Sequence, residues 1–226
     1  MNLKSLTRTE LLGYSLLLLV YAIGIYYANN DVVFFDTKFA QEDGFVETGT
    51  AIMLFVISVL CIYRLVKFGR SNSILWKVGV IGMALIFLFG AGEEISWGQR
   101  IFDIESSDFF LENNAQQETN LHNMIIGETK INKLIFSQLL IVVLVIYLII
   151  VPILYRKTTW VKSLFTTFAI PIPRWNHTIA FVAATVFILF MNNSNRCWEV
   201  YEFAFGIIFF LIFINPLNGY IYKKDS

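Results

Sequence analysis

The chain has 226 residues, of which 57% are hydrophobic and only 15% charged, against roughly 45–50% and about 25% in soluble domains. That composition argues against a soluble globule. Seventeen basic and seventeen acidic residues cancel, so no overall charge draws nucleic acid, and a nucleic-acid partner is not expected. Tandem repeats and low-complexity blocks are absent, and residues 1–226 read as one domain.

A bilayer-crossing helix needs about 20 mostly apolar residues. In chain order, six stretches approach that length: Leu11 to Ala28, Thr48 to Tyr63, Val78 to Gly92, Leu134 to Tyr155, Thr178 to Met191 and Phe203 to Tyr222. The fold class expected is all-α, a polytopic membrane protein with six transmembrane helices and an interfacial helix in the outer loop between spans three and four. Lys4 and Arg8 precede the first apolar run as in a signal peptide, yet Tyr26-Tyr27-Ala28 is a poor cleavage site, so the first span is expected to be retained. Cys61 and Cys197 fall at different depths and read as two free thiols.

Basic residues are held on the cytoplasmic side during insertion. With the N-terminus inside, twelve of the seventeen basic residues are cytoplasmic, and Lys38, Arg100, Lys130, Lys133 and Arg196 lie outside. Both termini are therefore expected in the cytoplasm of a cell (inner) membrane. Fifteen of the seventeen acids then fall on the extracytoplasmic side, all but Glu10 and Asp225. Acidic residues contribute little to topology, so that asymmetry needs another cause, and solvated loops account for scattered members such as Asp31, Asp36 and Asp103.

A smaller set sits where helices meet the outer surface. Glu42, Asp43 and Glu47 open the second span, Glu93 and Glu94 end the third, Glu118 lies in the long outer loop, and Glu199 and Glu202 open the sixth. Neighbouring helices lie about 8–10 Å apart, so such ends can meet in one pocket. Glu47, Glu199 and Glu202 stand near helix N-termini, where the dipole alone favours an anion; capping and function both remain open for them. Glu199 and Glu202 share a face that continues to Gly206. The dipole disfavours Glu93 and Glu94, because their helix ends there. Glu94 continues a slim face through Gly90, Met83 and Gly79, which points it inward, where an acid must be paired, metal-bound or protonated. Arg100 is a pairing partner or a ligand for a phosphate headgroup.

Asn113, Asn114, Gln116, Gln117, Glu118, Asn120, His122 and Asn123 concentrate amides, an acid and an imidazole in the outer loop. If Gln116 to Ile126 is helical, Glu118 and His122 share a face and Leu121, Met124 and Ile125 form an apolar strip, giving a lid or re-entrant helix. Many carboxylates with one imidazole suit a hard divalent ion such as Mg, Mn or Ca better than Zn, although Zn stays a candidate cofactor. Trp97, Trp198, Tyr201, Phe109 and Phe110 gather at this level as interface aromatics or as the mouth of an acyl-chain entrance.

No nucleotide-binding Gly loop, zinc-protease helix or serine-hydrolase elbow is present. Glu93-Glu94 shares the paired glutamates of membrane prenyl-protein proteases, but Gly98 stands where those need arginine, and no family is carried over. The expected function is a membrane-embedded hydrolase or transferase on a lipid or lipid-linked substrate. Its expected catalytic residues are Glu94, Glu118, His122 and Arg100. Glu47, Glu94, Glu118, His122 and Glu202 are the candidate metal ligands, and Glu93, Glu199, Trp97 and Asn120 the supporting residues. The alternatives are a cation- or proton-coupled transporter and a non-catalytic sensor or assembly subunit; span interiors lacking charge disfavour transport. Membrane lipids are the expected partners, with a second copy or another membrane protein as a further candidate.

Overall fold

The structure is a computed structural model describing residues 6–42, 44–121, 123–126, 129–130, 140–191, 193–194 and 196–223. Asp43, His122 and residues 134–139 of the fourth expected span lie outside the described residues. Among the described residues the regular structure is helical apart from a two-residue antiparallel ladder of Ile125–Ile126 with Thr129–Lys130. Among the described residues, five helices are long and apolar enough to cross a membrane. They are α1 (Arg8–Asn30), α2 (Phe45–Phe68), α3 (Ile74–Glu94), α4 (Leu140–Lys157) and, after α5, α6 (Cys197–Ile214). The helix α5 (Trp175–Met191) is apolar but shorter.

Local sequence explains the helix ends. Thr7 and Glu10 form a reciprocal capping box at the start of α1: the Thr7 hydroxyl accepts from Glu10 N at 3.2 Å, and the Glu10 carboxylate accepts from Thr7 N at 2.8 Å. Ser73 caps α3 by accepting from Trp76 N at 3.2 Å. The last span stops at Ile214 and does not continue to Tyr222, because Pro216 drives the preceding Asn215 out of the helical region; Gly219–Tyr222 follows as a separate short turn. In α4 a π-helical turn, Ile146–Ile150, precedes Pro152, whose missing N–H breaks the regular ladder. An additional amphipathic helix, Thr159–Thr167, links α4 to α5.

Helix α6 is the hub. Some 61% of its apolar window is buried, against 28–33% for the other four long helices. It packs against α2, α1 and α5, while α3 packs on α2. Glycines set the closest approaches: a Cβ at Gly206 would stand 3.3 Å from Met53 and 3.6 Å from the Thr50 backbone, and Gly49 makes room for the Phe203 ring. Ser58 ties α2 to α3 by donating to Ala84 O at 2.8 Å. Tyr147 of α4 stacks on Phe209 of α6 with centroids 5.6 Å apart. Cys61 and Cys197 are both buried and free, as expected.

The bundle has two ends. At one, the terminal face, α1 begins beside the start of α5, and the ends of α2 and α6 meet the chain's last described residues. There Trp76 Nε1 donates to Ile221 O at 3.1 Å, Arg64 donates to Phe213 O and stacks over the Tyr222 ring, and Asn218 holds Ile172 N and Ile170 O. Burial pushes the Tyr222 hydroxyl well above the usual tyrosine range although Arg64 opposes it. At the other, the loop face, gather the end of α3, the starts of α2 and α6, and the connection between α3 and α4. The expected helix from Gln116 to Ile126 is not formed among the described residues. Short helices occupy Gln99–Phe102 and Asp108–Asn113, and the described residues from Asn114 to Leu121 form turns, with an Asn114–Met124 bridge beyond them.

Candidate functional site

The loop-face site is built outward from the end of α3. Ser96 (φ 46°), Trp97 (φ 55°) and Gly98 (φ 79°) are three consecutive left-handed residues, a conformation costing non-glycine residues roughly 1–2 kcal/mol each. Such strain persists only where surroundings enforce it. Here Gly92 allows the indole of Trp97 to fold back on the helix end, since a Cβ at that position would stand 2.8 Å from the ring. Trp97 Nε1 then donates to Glu93 Oε1 at 2.8 Å. The second Glu93 oxygen accepts from Leu121 N at 2.6 Å. Two N–H donors thus offset the unfavourable helix dipole at this buried acid, and Glu93 pins the outer loop to α3.

The loop is tied down at a second point by Glu118. Its Oε2 accepts from Ser96 Oγ at 2.6 Å and from Asn120 Nδ2 at 3.1 Å, and its Oε1 accepts from Arg100 at 3.0 Å. Arg100 also stands 3.6 Å from Glu47 Oε1, joining the loop to the start of α2. Asn120 is 1% exposed and organises the turn: its Nδ2 donates to Ser96 Oγ at 2.9 Å, and its Oδ1 accepts from Asn114 Nδ2 and Asn123 N. Asn114 Oδ1 in turn accepts from Gln116 N and Glu118 N. A third clasp is solvated. Gln116 Nε2 donates to Glu42 Oε1 at 2.8 Å, and Arg196 reaches the same oxygen at 3.2 Å.

Beside this network the ends of three helices bring carboxylates together. Glu202, in the second turn of α6, is surface-exposed, yet surrounding protein and the charges of Glu94, Glu199 and Glu47 all act on it. It therefore stands at the loop-face surface, within reach of the charges at the ends of α2 and α3. Like charges that act on one another favour a proton or a cation beside them, and Arg100 at Glu47 is one such cation.

Of the residues the sequence singles out, the structure groups Glu47, Glu94, Glu199 and Glu202 at this surface and places Glu93, Trp97, Arg100, Glu118 and Asn120 in the adjoining network. His122 lies outside the described residues. Among those described, no three His, Cys, Asp or Glu side chains stand close enough to share a metal ion. Ser96 and Gln99 were not anticipated, and Asn114 was not assigned a role in the site. Ser96 carries no signal in sequence beyond the following Gly98, whereas Asn114 belongs to the amide-rich run. Gln99 Oε1 accepts from Thr119 N at 2.7 Å. Compared with protein-family models, curated proteins and solved structures, the chain matches none.

Proposed function

We propose that the chain is a six-span integral protein of a cell membrane, with both ends cytoplasmic, that acts at the extracytoplasmic surface as a hydrolase or transferase on a lipid or lipid-linked substrate. The observation that supports this reading is the electrostatic influence of Glu47, Glu94 and Glu199 on Glu202, acids from three helices at the loop-face end of the bundle. Acid–base catalysis needs carboxylates whose environments differ. Glu202 and Glu94 are assigned that work. Glu118, locked by Ser96, Asn120 and Arg100, is a positioning residue, and Arg100 holds Glu118 and Glu47 in place.

The test uses the full chain in proteoliposomes, presented in turn with labelled phosphatidylglycerol, phosphatidylethanolamine and a polyprenyl-phosphate-linked sugar, with products followed by mass spectrometry. The expected result is turnover of one of these that falls about a hundredfold or more in Glu94→Gln and Glu202→Gln while both variants unfold at the wild-type midpoint. Full turnover in both variants contradicts the assignment. The crowding of acids also favours a second reading, a cation- or proton-coupled carrier or a non-catalytic sensor. Saturable binding of Mg, Mn or Ca that depends on Glu202, without turnover of any lipid, selects it.

A further inference from the structure

Away from the loop face, α1 and α5 part along one side of the bundle and leave a groove of about 190 Å³. Leu17 and Leu18 of α1 face Ala180, Ala183 and Phe187 of α5 across it, positions that recur at helical spacing and make the α5 wall concave. Tyr14 and Asn176 close its terminal-face end. Asn176 Nδ2 donates to Glu10 Oε1 at 2.7 Å and to the Tyr14 hydroxyl oxygen at 3.1 Å. That arrangement consumes the Asn176 amide donor. Among the described residues it leaves the Asn176 carbonyl oxygen as an acceptor and the Tyr14 O–H as a donor, side by side at one end of an apolar slot. Pockets that bind small molecules share this design of apolar walls with a few convergent polar groups.

Dimensions narrow the occupant. From Asn176 to Phe187 the groove follows eleven residues of helix, about 16 Å at 1.5 Å per residue, and one leaflet of the hydrocarbon core is about 15 Å thick. The charge pattern narrows it further. The Glu10 carboxylate stands directly behind Asn176, and none of the residues lining the groove is basic, so an anionic head is disfavoured. A hydroxyl both donates and accepts, as the Tyr14–Asn176 pair requires.

We propose that this groove binds the hydrocarbon chain of a neutral, hydroxyl-bearing single-chain lipid, with its hydroxyl on Tyr14 and Asn176 and its tail along α5. The site is separate from the loop-face carboxylates and stands whether or not those are catalytic; it requires only that α1 and α5 lie in a bilayer.

The experiment uses the full chain in nanodiscs with three photoactivatable probes: a long-chain alcohol, the matched fatty acid and the matched alkane, each bearing a mid-chain diazirine. The alcohol is expected to label α1 and α5 peptides saturably and to be displaced by unlabelled alcohol, with the fatty acid labelling them more weakly. Ala183→Phe fills the groove and should abolish saturable labelling. Tyr14→Phe, a near-isosteric change, should weaken alcohol labelling about three- to tenfold, the worth of one hydrogen bond, and leave alkane labelling unchanged. Labelling that does not saturate, that matches the lipid-facing surface of α3 around Ile86, or that favours the fatty acid overturns the proposal. So does an alcohol affinity unaltered by Tyr14→Phe, which decides the matter even if Ala183→Phe fails to fold.

Discussion

The two ends of the bundle each bury a glutamate, and the contrast between them separates scaffolding from a working site. At the terminal face, Glu10 is 0% exposed and accepts from Thr7 N, Thr7 Oγ1 and Asn176 Nδ2 at 2.7–2.9 Å. His177 completes the set. Its Nδ1 accepts from Arg174 N at 3.2 Å, so the proton sits on Nε2, which donates to Glu10 Oε1 at 3.2 Å. Every lone pair there has a donor, and the result is a pin between α1 and α5. At the loop face Glu93 and Glu118 are satisfied in the same manner, but Glu47, Glu94, Glu199 and Glu202 press on one another. A buried acid matched by donors is structure; acids placed where they act on one another's charge are the groups whose proton or cation binding a site can use.

Four substitutions probe that distinction. Glu10→Ala removes an acceptor from four donors and leaves the buried His177 Nε2–H without one; a loss of about 3 kcal/mol is expected by denaturant unfolding in detergent. Glu93→Ala frees Trp97 Nε1 and Leu121 N, should cost about 2–3 kcal/mol, and should speed hydrogen exchange across residues 114–121. Gly92→Ala forces the indole outward, with an expected loss of about 1–2 kcal/mol and a red-shifted tryptophan emission. Arg196→Ala opens the solvated clasp to Glu42, both partners being over a third exposed, and should change stability by about 0.5 kcal/mol or less. If the terminal pin proves as dispensable as that surface pair, the contrast between the faces fails.

Much of the scaffold was readable from the chain because apolar runs bounded by charges leave little choice in a bilayer. The ends were less so. Pro216 stops α6 eight residues before the apolar run ends at Tyr222, a local backbone veto that hydropathy does not register. Depth along the spans led to the expectation that acids from three helix ends lie near one another, since residues at one level of a small bundle have few places to go. The shape of residues 114–121 could not be read in this way. Its amides suit a helix face by spacing, but Asn114 and Asn120 turn their side chains on the loop backbone and compete with the helix. The pairing of Glu10 with His177 spans 167 positions, and no local pattern encodes it. Placing both on one side of the membrane was as far as charge patterning reached.

A double-mutant cycle on Glu94→Gln and Glu202→Gln, read by denaturant unfolding of the full chain, measures whether these two acids act on one another. The two changes should not add: the double variant should depart from the sum of the single ones by a coupling of about 0.5–1 kcal/mol. Effects that add to within about 0.3 kcal/mol would mean the two carboxylates do not sense each other, and the convergence on which the functional reading rests would be wrong.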